Sequence, residues 1–246
     1  MSDDLHALRS RVQTRAFGRA HEHHDVLGST NDRAAAWIGE GAPHGAVVTA
    51  DAQTEGRGRR GRVWASPPGE NLYASVVLRP DAVRRDFGAI GLAVAVGIAE
   101  GLPIDVELKW PNDLLVRGRK LGGILCESRW LGARPDVVVG FGINVHQRVF
   151  EGDVAAIATS LALCDAAAAR VDVLVRVLST LEDAVERFLE HGFSAVRDAY
   201  AARCPMLGRS VRVADVEGVF EALDHDGAML LRPSEGGAVR RIEVAP

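Results

Sequence analysis

Ten consecutive residues, Gln53-Thr-Glu-Gly56-Arg57-Gly58-Arg59-Arg60-Gly61-Arg62, set four arginines and three glycines in one short segment. Like charges this close repel, and the glycines free the backbone to fold around something. Backbone amides and guanidinium forks together suit a phosphate or a carboxylate. The Walker pattern of phosphate-binding loops is absent. A plain solvated basic turn is the bland alternative, and an RNA-contacting loop would need a row of aromatics that is missing here. With Glu55 as the only acidic neighbour, residues 56–66 are expected to be mobile until an anion arrives.

Three further segments carry chemistry. Leu108-Lys109-Trp110-Pro111-Asn112-Asp113 brings a cation, an amide and a carboxylate together where proline stops a strand, although a plain Pro-Asn-Asp turn with Trp110 packed in the core reads the same and is favoured on these residues alone. Gly118-Arg119-Lys120-Leu121-Gly122-Gly123-Ile124-Leu125 sets a lysine beside a Gly-Gly pair, which permits close approach but is also how a bulge looks. Gly140-Phe141-Gly142-Ile143-Asn144 is an apolar strand with two glycines. Lys109 and Lys120 are the only lysines among 29 basic residues. A chain that uses arginine everywhere else keeps lysine where a compact ammonium is needed.

The elements that must position these segments can be read from periodicity. Ser29 or Thr30 caps a helix through residues 31–38, which Gly39 and Gly41 end. Residues 45–51 and 71–78 read as strands. Residues 87–99 are apolar nearly all round, a buried helix. Strands follow at 105–110, 114–117, 121–127 and 137–145, the second and third as a hairpin about Gly118. Leu174, Val177, Leu178, Leu181, Val185, Phe188 and Leu189 mark a long amphipathic helix ending at Gly192, with another over 195–203. Four short strands over 209–244 make a small barrel. The chain is expected to divide into residues 1–203 and 204–246. Val137–Val145 is expected at a sheet edge, where a second copy could pair.

Four of these segments, together with Gly28-Ser29-Thr30-Asn31, occur in the order seen in biotin protein ligases, and the chain resembles that family over about residues 25–146. The resemblance implies an α+β fold: a mixed, largely antiparallel sheet packed on helices, followed by a small C-terminal SH3-like β-barrel. It implies an ATP-dependent biotin–[acetyl-CoA-carboxylase] ligase. Biotin, ATP and Mg²⁺ would form biotinyl-5′-AMP, and the biotin would pass to one lysine of a carrier domain. Gly28 departs from the pattern, standing where an acidic or larger residue is usual.

By the same resemblance Lys120, Arg59 and Asp113 are the catalytic residues. Lys120 would offset charge at the α-phosphate, Arg59 would grip carboxylate and phosphate, and Asp113 would orient or deprotonate the acceptor lysine. Ser29, Thr30, Asn31, Gln53, Arg57, Gly58, Arg59, Lys120, Gly122 and Gly123 would bind biotin, with the two glycines as its floor. Arg59, Arg60, Trp64, Lys109, Asn112, Lys120 and Asn144 would bind the nucleotide, Trp64 covering the adenine. No protein-held metal is assigned. The histidines of His21-Glu22-His23-His24 suggest one, and on a strand His21 and His23 share a face, but the sequence offers them no partner cluster.

Composition bounds the alternatives. At roughly 150 residues per domain, 246 residues make one domain plus an appendage. A net charge of −4 argues against a nucleic-acid coat. The 13-residue apolar run is short of the ~20 needed to span a bilayer. The start shows no signal peptide, and residues 1–20 hold at most one short helix, too little for a DNA-binding helix-turn-helix. Three scattered cysteines fit free thiols in a cytoplasm, with Cys126 as a buried small hydrophobe. A monomer or homodimer is expected, with a carboxylase carrier domain as partner and neither DNA nor membrane. The rival readings are lipoyl or octanoyl transfer on the same core fold, and a biotin-sensing repressor.

Overall fold

The computed structural model describes residues 3–81, 84–131, 134–213 and 215–244. The main sheet has seven strands: β1 (His21–Leu27), β2 (Val47–Gln53), β3 (Leu72–Leu78), β4 (Glu107–Lys109), β5 (Asp113–Val116), β6 (Arg119–Leu131) and β7 (Arg134–Ile143). Their order is β1-β2-β3-β7-β6-β5-β4. β1 and β2 are parallel, joined by the crossover helix α2 (Thr30–Gly39), and every other neighbouring pair is antiparallel.

Alternation along the strands assigns the two faces. Val47, Val76, Val137 and Val139 face one core, while Val48, Val77 and Val138 face a second core under α2. The larger core is closed by α3 (Ile90–Gly101), α4 (Arg170–His191) and α5 (Ser194–Arg203). Gly97 and Gly101 lie one turn apart on α3, and a Cβ there would stand 2.7 Å from Leu181 Cα and 2.6 Å from Val177 Cα. Only glycine lets α4 lie this close. The predicted α4 face is the buried one, and Gly192 N–H caps it by donating to Phe188 O at 2.7 Å.

Val137–Val145 is no edge: β7 lies mid-sheet between β3 and β6. Its run of buried valines on both faces is the pattern of a covered central strand. The edges are β1 and β4. The first twenty residues hold only a 3-10 turn, Leu5–Ala7, and the single helical turn α1 (Leu8–Arg11), because the chain then bends to put Val12 and Phe17 into the core. β1 is a strand whose polar, half-exposed residues suit an edge and hide it from periodicity.

The bend at residues 15–17 is held by one carboxylate. Glu182 is 1% exposed and accepts the N–H groups of Arg15, Ala16 and Phe17 at 2.6–2.9 Å. Glu182→Ala would orphan all three donors, so unfolding free energy should fall by about 3 kcal/mol, read as a lower urea midpoint. A midpoint equal to that of an exposed-site control would show that the bend stands without it.

The second sheet, β8 (Ser210–Val213), β9 (Val216–Leu223), β10 (Met229–Pro233) and β11 (Arg240–Ile242), is antiparallel throughout, in the order β11-β10-β9-β8. It docks through Phe220, Met229 and Leu231, which join the larger core. Trp110 Nε1 donates to Gly227 O at 3.1 Å, so the tryptophan of the Lys-Trp-Pro-Asn-Asp segment ties the two sheets together. Among the described residues no helix is long and apolar enough to cross a membrane.

Candidate active site

Beyond the end of α2, the same face of the main sheet carries glycine on adjacent strands: Gly123 on β6, and Gly140 and Gly142 on β7. Three missing side chains make a cleft of about 180 Å³. Its surroundings have taken the space a side chain would use. A Cβ on Gly140 would stand 2.0 Å from Asn31 Oδ1, and one on Gly142 would stand 2.6 Å from the Trp64 indole.

Strand register also decides where Lys120 points. Positions 120 and 123 should lie on opposite faces of a regular strand. β6 carries a bulge: Gly122 pairs with Leu114 and Lys120 with Leu115, so Leu121 is extra. The extra residue brings Lys120 to the side of Gly123, whose Cβ would lie 3.5 Å from Lys120 Cε. Ile157 O and Thr159 N pin the Lys120 backbone at 2.6 and 2.8 Å.

One end of the cleft is a polar network set by the start of α2. Gln53 Oε1 accepts from Thr30 N at 2.8 Å and from Thr30 Oγ1 at 3.2 Å. Asn31 Nδ2 donates to Glu127 Oε2 at 2.7 Å and more weakly to Leu125 O. Ser75 Oγ stands 2.6 Å from Asn31 Oδ1 and 2.8 Å from Thr30 Oγ1, and its single proton serves one of them at a time. Ser29, Thr30 and Asn31 are all buried. Gly140→Ala should force Asn31 from this network. Affinity for biotin, the ligand the resemblance implies, should fall by about tenfold, the worth of roughly one lost hydrogen bond. Isothermal titration would show it, and unchanged affinity would mean that Asn31 has no part in the pocket.

The other end is charged. Lys120 Nζ donates to Asp113 Oδ1 at 2.7 Å and lies 5.4 Å from the Trp64 ring centroid. Arg59 Nη1 reaches Asn112 Oδ1 at 3.4 Å, and burial pulls the Arg59 guanidinium below its usual range. Asn112 Nδ2 donates to Ile124 O. Cys126 lies beside Arg59 with its thiol pushed up to about 12 by burial, consistent with an inert filler. Trp64 Nε1 is buried and donates to no protein acceptor.

The arginine loop is less bare than its sequence implies. Arg57 forms a bidentate pair with Asp32 at 2.6 Å and lies 3.7 Å from Glu127. This pairing holds the Asp32 carboxyl below the usual carboxylate range. Arg60 sits in the left-handed region, at φ 59°, a conformation that costs a non-glycine residue about 1–2 kcal/mol.

Ser29, Thr30, Asn31, Gln53, Arg57, Gly58, Arg59, Trp64, Asn112, Lys120 and Gly123 all line this one cleft. Asp113 reaches it through Lys120. Asn144 lines an adjoining cleft with Trp64 and Lys120, and its Nδ2 is bonded to Thr159 O. Gly122, Arg60 and Lys109 lie outside both linings. Gly122 faces the core, where a Cβ would stand 3.1 Å from Leu114 Cδ1 and 2.6 Å from Gly142 O. Asp32, Glu127, Ser75, Val154 and Ile157 join the site without having been expected there, as does Ser66, whose Oγ accepts from Gln53 Nε2 at 3.1 Å. Asp32 stands beside the noted Ser-Thr-Asn segment, and Ser75 is a polar residue in an apolar strand; both were signals. Glu127, Val154 and Ile157 are placed by tertiary folding alone.

The chain was compared with known proteins. The family model described as "Biotin/lipoate A/B protein ligase family" matches residues 25–144. The bifunctional ligase/repressor BirA of Bacillus subtilis is 34% identical, over 93% of this chain and 74% of its own length. The biotin–[acetyl-CoA-carboxylase] ligase of Mycobacterium tuberculosis is 36% identical, over 83% of this chain and 80% of its own. The solved biotin protein ligase from Aquifex aeolicus in complex with biotin and ATP superposes with a TM-score of 0.79 at 27% identity, covering 92% of this chain and 96% of that one.

Proposed function

This chain belongs to the biotin/lipoate A/B protein ligase family, and from that footing we propose how its cleft works as an ATP-dependent biotin–protein ligase. The Mycobacterium tuberculosis relative and the Aquifex aeolicus structure are both named for biotin, which does not fit the lipoyl or octanoyl transfer alternative. The observation that carries the reading is the cleft itself. A buried amide-and-hydroxyl network at one end suits a neutral polar ring, and a lysine flanked by arginine at the other suits anions.

The biotin ureido group would meet Ser29, Thr30, Asn31 and Gln53, with Gly123 beneath. Its carboxylate would point toward Lys120 and Arg59. The first half-reaction joins a carboxylate oxygen to the α-phosphorus of ATP and releases pyrophosphate. Two anions must approach, so fixed cations at the junction lower the barrier most. Lys120 is the cation best held for this, by Asp113, by Trp64 and by its pinned backbone. Mg²⁺ would arrive on the phosphates, and Asn112 Oδ1, which accepts from Arg59 Nη1 at 3.4 Å, is the hard oxygen donor in the cleft lining that would meet it. Mg²⁺ supplies charge neutralisation of the phosphates when bound. Trp64, between the two clefts, would cover the adenine, with Asn144 below it.

In the second half-reaction the amine of the acceptor lysine attacks the carbonyl carbon of the mixed anhydride. AMP leaves, and the amine loses a proton. Once Lys120 turns to the phosphate, the Asp113 carboxylate is free to take that proton. The acceptor is proposed to be a biotin carrier domain of a carboxylase, by the relatives' names. We place the enzyme in a reducing cytoplasm, on its three free cysteines, and give it no DNA partner, on its net charge of −4. As monomer or homodimer, it would pair through β1 or β4 rather than β7. The test is ATP–pyrophosphate exchange, which should require biotin; exchange at equal rate without biotin would overturn the assignment.

Closure of the arginine loop follows from the same reading. Arg57 is anchored by Asp32, so limited trypsin digestion should cut after Arg60 or Arg62 before Arg57. Biotin with Mg·ATP should protect all of these sites. Equal cleavage with and without ligands would mean that the loop does not close.

A further inference from the structure

Midway along β1, His23 and Asp25 share one face of the strand. The N-terminal turn brings His6 against them, its ring edge-on to His23 with centroids 4.4 Å apart. One donor atom from each of His6, His23 and Asp25 lies within 4.8 Å of the others. This is the partner cluster that the sequence did not show.

We infer that His6, His23 and Asp25 bind one divalent ion of the zinc class, separate from the Mg²⁺ that enters with nucleotide. Two imidazoles and a carboxylate make a borderline donor set that suits Zn²⁺ better than Mg²⁺, with water completing the coordination. Bonds of about 2.0–2.2 Å set tetrahedral donors roughly 3.4 Å apart, and the exposed His6 and Asp25 side chains close the gap by rotation. His23 is already oriented. Thr49 Oγ1 stands 2.9 Å from its Nδ1, the outer partner that fixes a ligating ring, and leaves Nε2 for the metal. Asp51, 3.7 Å from that Nε2, is held by Arg170 at 2.7 Å and adds negative potential without being needed as a ligand. A rival group, Asp224-His225-Asp226, lacks this readiness, because Arg241 holds both of its carboxylates. The ion would staple the Leu5–Ala7 turn to β1, the strand that leads into Ser29.

Untagged, metal-stripped protein titrated with Co²⁺ in excess Mg²⁺ tests this, with Zn²⁺ as competitor. We expect the visible absorption of four-coordinate cobalt at one equivalent, quenched by Zn²⁺, and a thermal midpoint raised by Zn²⁺. Losing an outer partner typically costs about 10–100-fold in metal affinity, so losing a ligand costs at least that. His6→Ala and Asp25→Asn, both at exposed positions, should each weaken binding by tenfold or more and abolish the thermal shift. His225→Ala should change neither. No cobalt absorption, binding unchanged in His6→Ala, or binding lost in His225→Ala would each overturn the site.

Discussion

Lys120→Arg should slow biotin-dependent ATP–pyrophosphate exchange by about 100-fold or more while biotin binding weakens less, the pattern of a lost transition-state contact. Charge is conserved in this variant; shape is not. The Lys120 ammonium meets one Asp113 oxygen at 2.7 Å, and its stem runs beside Gly123 under the Trp64 face. A guanidinium is longer and planar. It would either push Trp64 off Gly142 or leave Asp113, and in both cases it presents a fork where a point charge is required. The chain's habit of using arginine wherever it can makes the surviving lysine informative. Exchange within a few-fold of wild type would remove Lys120 from the chemistry.

Arg59→Gly separates holding the adenylate from making it. The mixed anhydride reacts with any amine, so water and stray lysines must be kept out until the carrier docks. Arg59 lies partly buried at the charged end of the cleft, with Asn112 as one partner. Glycine there would remove the grip and loosen a loop that already turns through left-handed Arg60 and Gly61. Adenylation should persist at a reduced rate, because Lys120 still offsets the phosphate charge. Released adenylate should then label an added lysine-rich protein. Self-labelling should stay low, since Lys109 and Lys120 are the only lysines. If the variant shows neither exchange nor transfer, Arg59 acts in forming the adenylate and its retention role is wrong.

Most of the cleft was legible because its chemistry sits in short segments. Glycine where strands must be bare, lysine among arginines, and Ser-Thr-Asn at a helix start each carry a local signal. The sheet's helix cover was legible for the same reason: α4 declares its face by spacing. What the sequence hid is what folding alone brings together. Glu127 meets Asn31 across 96 positions, and Arg57 finds Asp32 although the loop looks like bare repulsion. The Leu121 bulge sets Lys120 and Gly123 on one face by a register shift that no pattern announces. β7 lies mid-sheet rather than at the expected edge, and its valines, buried on both faces, are the local sign of it. The His6 partner of His23 comes from a segment read only as a short helix.

A cleft that activates biotin should also hand it to a carrier lysine. Incubation with biotin, Mg·ATP and a purified biotin carrier domain, followed by intact-mass spectrometry of the carrier, tests it most directly. One added biotinoyl group per carrier is expected, dependent on both biotin and ATP, absent when the carrier's acceptor lysine is replaced, and strongly slowed in Lys120→Arg. A carrier whose mass is unchanged by the wild-type protein under these conditions would contradict it.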